Sequence, residues 1–406
     1  MVKKKVAGSK PAKPMAKAGP KAERHLALKI VQAGGASSHG FVWPLVVGAT
    51  VTAPDWKPTK ECGHGLHAWK DGEGDVSACA YHADEGCIGL VVDYDPADCV
   101  DLGDKIKVRE CVILFVGTVR EAAAWISAKR PTARVIYGQA SAGDSGSAVA
   151  GYSGSAVAGY SGSAVAGYSG SAVAGDRGSA VAGDSGSAVA GYSGSAVAGD
   201  RGSAVAGDSG SAVAGYSGSA VAGDSGSAVA GYSGSAVAGY RGSAVAGDSG
   251  SAVAGYRGSA VAGYSGSAVA GDRGSAVAGD SGSAVAGDSG SAVAGYSGSA
   301  VAGDSGSAVA GYSGSAVAGY RGSAVAGYRG SAVAGPYGTL SILYYDRSIS
   351  VYRRKIAECD PNGPIKPWRR YTLSDAGEWV EGAEVPEGER PAALLAAAYA
   401  AAKAKK

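Results

Sequence analysis

Through residues 143–334 polar turn residues and small apolar residues alternate with a period of eight, without an insertion. Each unit reads Gly-(Asp/Tyr)-(Ser/Arg)-Gly-Ser-Ala-Val-Ala; the first is Gly143-Asp144-Ser145-Gly146-Ser147-Ala148-Val149-Ala150 and the last of the 24 starts at Gly327. Ser-Ala-Val-Ala predicts a strand of about four residues. Gly-x-x-Gly predicts a turn, because glycine accepts positive φ at no steric cost. A short fixed period over 192 residues implies a stacked, quasi-one-dimensional architecture in which each unit rests on its neighbours. Eight residues cannot close a coil around a core, so two units per coil is the smallest closure. That predicts about 12 coils of 16 residues and a rod roughly 55–60 Å long at ~4.8 Å per coil. Asp and Tyr do not alternate between odd and even units, so the two sides of the coil should be near-equivalent.

Which strand face points outward follows from the degenerate units at either end, because strand side chains alternate. Gly138-Gln139-Ala140-Ser141-Ala142 and Gly338-Thr339-Leu340-Ser341-Ile342 keep the register. They place polar residues at unit positions five and seven, and apolar ones at six and eight. Ala148 and Ala150 should therefore face inward and Ser147 and Val149 outward. The same reading puts Ser155, Val157, Ser163, Val165, Ser171 and Val173 in an outward array, with Tyr152, Tyr160, Tyr168 and Tyr192 at the turns. Leu340 and Ile342 extend the inward row into a cap. The core is then a thin Gly/Ala layer in which backbone ladders supply most of the cohesion.

Outside the repeat the patterning is that of ordinary folded sequence. Residues 87–94 and 110–116 read as strands, and 118–129 as a helix with Val119, Ala122, Ala123 and Ile126 on one face. Residues 339–345 and 348–357 read as a hairpin about a tight Asp346-Arg347 turn, with further strands near Tyr371 and Trp379. The predicted organisation is a basic disordered arm (1–24), a small α+β domain (25–137), a β-solenoid (138–342), a β cap (343–390) and an Ala-rich, fraying helical tail (391–406). The fold class is mainly β.

Composition sharpens this picture in three ways. The formal net charge is +2, but the repeat holds 11 Asp and 7 Arg, and the basic surplus lies largely in Lys3, Lys4, Lys5, Lys10, Lys13, Lys17 and Lys21. That arm is the one segment suited to nucleic acid or an anionic surface; its composition first suggests a solvated tail. No apolar stretch resembles a signal peptide or a membrane span, so a cytoplasmic, released or virion-associated protein is expected, without a membrane partner. Six Cys at irregular spacing, none in the repeat, fit free thiols better than a disulfide framework.

The unit Ala-Gly-Tyr-Ser-Gly-Ser-Ala-Val-Ala-Gly resembles the repeat of bacterial ice nucleation proteins. That resemblance implies octads paired into sixteen-residue solenoid coils, an outward row that orders water and a Tyr ladder that supports assembly. Ser155-Ala156-Val157 matches that family's Thr-x-Thr row, and Tyr152 and Tyr160 match its Tyr position. Here Thr is replaced, and Asp interrupts the ladder in 11 of 24 units, so any water-ordering activity should be weak. The flanks are similar to a family found in phage and bacterial genomes. The matching segments are Gly40-Phe41-Val42-Trp43-Pro44, Glu61-Cys62-Gly63-His64-Gly65-Leu66-His67 and residues 335–381, including Ile365-Lys366-Pro367. Members carry an N-terminal domain, solenoid repeats of this type and a cap.

Four constellations invite a chemical reading. Gly143-Asp144-Ser145-Gly146 is similar to the nucleophile segment of trypsin-like proteases, but the repeat contains no His to activate a Ser, so it reads as a turn. Cys62, His64 and His67, with Cys79, His82 and Cys87 downstream, are zinc-ligating types at a spacing that matches no standard site; no metal or other cofactor is expected. Asp71-Gly72-Glu73-Gly74-Asp75 reads as a turn rather than a calcium loop. Residues 38–116 loosely resemble an ADP-ribosyltransferase core, which would give His39, Tyr81 and Glu110 the dinucleotide-positioning and ribose-stabilising roles.

The leading expectation is a non-enzymatic solenoid that presents Ser-x-Val arrays to water, to ice or to other copies of itself in fibres. The alternative is an enzyme or ligand sensor in residues 25–137 displayed on a passive rod.

Overall fold

The computed structural model describes residues 25–37, 40–74, 86–103 and 105–404. The Lys-rich arm, His39, Asp75, Cys79, Tyr81 and His82 lie outside the described residues. The chain divides into two compact units, and the division falls after Ala122.

The first unit is built on a seven-stranded antiparallel sheet. Its strands are β1 (His25–Val31), β2 (Thr50–Thr52), β3 (Leu66–Lys70), β4 (Ile88–Tyr94), β5 (Cys99–Asp101), β6 (Ile106–Val108) and β7 (Glu110–Thr118), in the order β2-β7-β4-β1-β3-β6-β5. Trp43, Leu66, Val92, Tyr94 and Ile113 are among its buried side chains. Helix α1 (Val119–Lys129) follows β7 directly. Thr118 caps it: its Oγ1 accepts from the Glu121 N–H at 3.3 Å, while the Glu121 carboxylate accepts from the Thr118 N–H at 2.9 Å. This reciprocal pair satisfies two donors of the first turn and holds the Glu121 carboxyl below its usual range. Val119, Ala122, Ala123 and Ile126 form the buried face.

The second unit is the β-solenoid. Each repeat strand up to Ser323–Ala326 pairs in parallel with the strand 16 residues on, as in Ser163↔Ser179 and Val165↔Val181. Odd and even units thereby separate into two sheets, with about 13 turns in all. The flanking units join the stack, since Gln139 pairs with Ser155 and Thr339 with Ser323. The inner layer is Ala throughout: Ala156, Ala164 and Ala172 are fully buried, and Ala158, Ala166 and Ala174 nearly so. Leu340 and Ile342 continue this layer opposite Ala324 and Ala326.

The turn glycines have a different reason from the one expected. None of the repeat glycines has a positive φ; that conformation falls instead on non-glycine third positions such as Ser153, Arg273 and Ser289. Glycine is needed because coils approach closely. A Cβ on Gly175 would stand 2.7 Å from Cα of Tyr160 on the preceding coil, and one on Gly178 would stand 2.7 Å from Ala174 Cβ.

Antiparallel strands end both parallel ladders. The hairpin Thr339–Asp346/Val351–Glu358 closes one sheet, with a longer connection than a two-residue turn and Ser350 at φ 55. Tyr371, in the strand Arg369–Leu373, pairs antiparallel with Ala332 and closes the other, and Trp379–Glu384 follows it. Cys359, Ile365 and Tyr371 join the end of the Ala core, and the Tyr371 hydroxyl accepts from the Lys366 N–H at 2.8 Å. Arg353, Arg354 and Lys355 on the last hairpin strand charge its free edge, a known device against edge-to-edge pairing.

The C-terminal segment is not a loose tail. Helix α2 (Pro391–Ala404) folds back over the even-unit sheet, where Leu394, Leu395 and Ala398 pack on Val253, Val269, Val285, Val301, Val317 and Val333. At 1.5 Å per residue its 14 residues reach about 21 Å, or four to five coils at ~4.8 Å. Among the described residues no helix is long and apolar enough to cross a membrane.

Candidate functional surface

The solenoid has two outer faces, and the helix makes them unequal. Ser147, Val149, Ser163 and Val165 lie on the sheet of odd units; Ser155, Val157, Ser171 and Val173 lie on the sheet of even units. On the odd-unit sheet no Val of the repeat is buried, and Val229 and Val277 are the most exposed. On the even-unit sheet the Val row runs from 45% exposed at Val157 to 0% at Val333, because its last six members cluster with Leu394, Leu395 and Ala398 of α2 and with Trp368 and Val385 of the cap. The expectation that every repeat Val faces solvent is corrected there: each still points away from the Ala core, but a helix has taken the place of water. Ser341 departs too, being buried with no partner for its Oγ.

The two turn edges also differ, against the expected equivalence. Tyr152 and Tyr168 share one edge, with ring centroids 5.4 Å apart and planes within 4°. The same edge continues through the Tyr216–Tyr232 and Tyr296–Tyr312 stacks and ends on Tyr328, Tyr352 and Tyr345. In that run desolvation raises the Tyr312 hydroxyl above its ordinary pKa. Tyr160 and Tyr192 lie on the opposite edge, separated by Asp176. That edge carries seven of the 11 repeat Asp and five of the seven repeat Arg. Arg177 lies over the Tyr160 ring at 5.8 Å. Sorting by coil parity was open to sequence inspection once a 16-residue coil was assumed.

On the charged edge the turn changes form midway. Up to Arg257 the third-position N–H donates to the preceding coil, as Arg177 does to the Tyr160 carbonyl at 2.9 Å. From Arg273 it donates to the following coil, to the Asp288 carbonyl at 2.8 Å, with φ +58. The flipped turns coincide with an Asp ladder. Asp272 Oδ1 accepts from the Asp288 N–H at 3.1 Å, and Asp288 Oδ1 accepts from the Asp304 N–H at 2.9 Å.

In the first unit, Cys62, His64 and His67 all line one cavity. His64 Nδ1 lies 3.4 Å from Asp55 Oδ2, and His67 Nε2 accepts from the Gly63 N–H at 3.4 Å. Among the described residues no three His, Cys, Asp or Glu side chains are grouped to hold a metal ion. Glu110 opens β7, exposed, and accepts from Thr52 Oγ1 at 3.0 Å; it does not line the cavity. Glu73, which groups with the second unit, accepts from the Arg134 N–H at 2.7 Å. Cys62, Cys99 and Cys359 are free thiols. Gly-Asp-Ser-Gly occupies coil turns throughout.

No protein-family model, no curated protein and no solved structure matches this chain. The repeat geometry itself therefore carries the functional argument.

Proposed function

We propose that this chain is a non-enzymatic array protein whose working surface is the outer face of the odd-unit sheet. One observation carries the reading: Ser and Val stand in register at every 16-residue step, and no Val in the row is buried, from Val149 to Val325. Rungs at ~4.8 Å and side chains two residues apart along a strand at ~6.6 Å make a flat lattice of one hydroxyl and one apolar group per rung. Such a lattice suits ordered water or ice, and a regular apolar ridge also suits lateral association with other copies. The resemblance to ice nucleation proteins points the same way. With Val in place of the second Thr, activity on ice should be weak and should depend on the array rather than on one residue.

The test is droplet freezing by the purified full chain, with particle size by light scattering. Replacing Val by Thr across odd units should raise the freezing temperature. Replacing the same Val by Lys should abolish both freezing activity and association. If neither series changes either measurement, the face is passive, and the function belongs to residues 25–137 as an enzyme or ligand sensor.

A further inference from the structure

The sheet of the first unit parts between two of its strands. β1 and β3 pair only at Ala27↔Lys70 and Leu28↔Trp69. Beyond that point β1 stays paired to β4 through Val31, and β3 stays paired to β6 back to Leu66. Each strand is thus anchored on its far side, so the parting is part of the fold and not a frayed end. The Asp71 N–H donates to the Leu26 carbonyl on the β3 side. By strand alternation the main chain of Ile30 also faces that side, where no strand of the described residues pairs with it. A cavity of about 430 Å³ fills the parting, with Phe41, Trp43 and Trp69 in its walls.

The wall holds two cationic side chains, Lys29 and Lys105, and a buried donor without an acceptor, and a third cation lies behind it. Behind that wall Lys107 is fully buried, and among the described residues its Nζ donates only to neutral groups: the Glu61 carbonyl at 2.8 Å, the Gly63 carbonyl at 3.2 Å and Thr59 Oγ1 at 3.5 Å. No carboxylate of the described residues pairs with it. A charge taken out of water normally has a counter-ion, because neutral acceptors only partly replace hydration. The loop it grips, from Cys62 to Gly65, is itself cavity wall, and Lys105 lines the same space. Asp55, the acidic side chain in the lining, is engaged by His64. The Trp69 indole N–H is also buried without an acceptor; such orphans usually mark an absent partner.

We infer that this cavity is a binding site for a small aromatic anion, whose charge is set against Lys105 and Lys29 in the lining, with Lys107 behind it, and whose ring packs against Phe41 and Trp43. This inference is independent of the array on the solenoid.

The six Trp residues permit a direct test on the full chain. Their indole N–H signals are followed by NMR during titration with 1-naphthoate and with its uncharged analogue 1-naphthamide. Trp43→Phe and Trp69→Phe identify the two cavity signals. Naphthoate should shift both saturably, and naphthamide should bind at least tenfold more weakly. Lys105→Glu should weaken naphthoate at least fivefold, and Lys107→Met should weaken it less, because Lys107 stands behind the lining. Lys107→Met also releases the carbonyls of Glu61 and Gly63, so Lys105→Glu serves as the variant that leaves the loop tethered. Equal binding of the amide, shifts confined to Trp368 and Trp379, no shift at all, or an affinity unchanged in Lys105→Glu would each overturn the inference.

Discussion

A Cβ placed on Gly178 would stand 2.7 Å from the carbonyl oxygen of Gly162 on the preceding coil. Carbonyl oxygens of one coil thus sit in the space a side chain would need on the next. The solenoid is held at ladder spacing by this absence of side chains, and the Ala layer inside permits it.

Gly178→Ala should therefore destabilise the solenoid by about 1–3 kcal/mol, as overpacking of a close contact does. Ser179→Ala, at the neighbouring half-buried position, should change stability by less than about 0.5 kcal/mol. Urea unfolding followed by circular dichroism separates the two. Equal effects would mean that the coils can slide apart at no cost.

Removing α2 by ending the chain at Arg390 should bare the part of the Val253–Val333 row that Leu394, Leu395 and Ala398 cover. The expected result is concentration-dependent association by light scattering, because six aligned Val make a contiguous apolar strip. Leu394→Glu with Leu395→Glu should reproduce it without shortening the chain. Hydrogen exchange should quicken selectively in the last coils and leave the first coils near Val157 unchanged.

Truncation after Ala334 removes both closing strands and should have a more severe effect. The open parallel edges left behind would template pairing between copies. Aggregation is expected on concentration, whereas a monodisperse truncated protein would show that the cap is not needed to protect the ends.

Stability should fall on the alkaline side. Burial raises the Cys359 thiol to about 11 from an ordinary value of 9.0, and burial likewise raises the Tyr94 hydroxyl. Raised folded values mean that the unfolded chain loses these protons first, so their contribution is complete below pH 9 and fades as pH rises toward 11. Cys359→Ala should flatten that part of the melting-temperature profile. In native protein, exposed Cys62 should react with a thiol reagent well before buried Cys111 or Cys359.

Much was legible in the repeat. Its period set the 16-residue coil, and the polar residues Gln139 and Ser141 at unit positions five and seven indicated which strand face carries Ser and Val. The reason for glycine was misread because a sequence shows turn propensity but not how near the next coil comes. The cavity in the parted sheet was not readable: Lys107 looks like any surface lysine until β6 places it against the carbonyls of Glu61 and Gly63. Zinc-type spacing drew attention to Cys62, His64 and His67, which the fold brings to one cavity without grouping them around a metal position.

For the solenoid, the sequence alone determined period, register and facing, because each follows from local alternation repeated 24 times. Only the tertiary structure decided that the two faces are unlike. Coil closure sorts odd units from even ones, and α2 returns from the far end of the chain to lie on one Val row. Identical octads thus acquire different surroundings through contacts that no local pattern encodes.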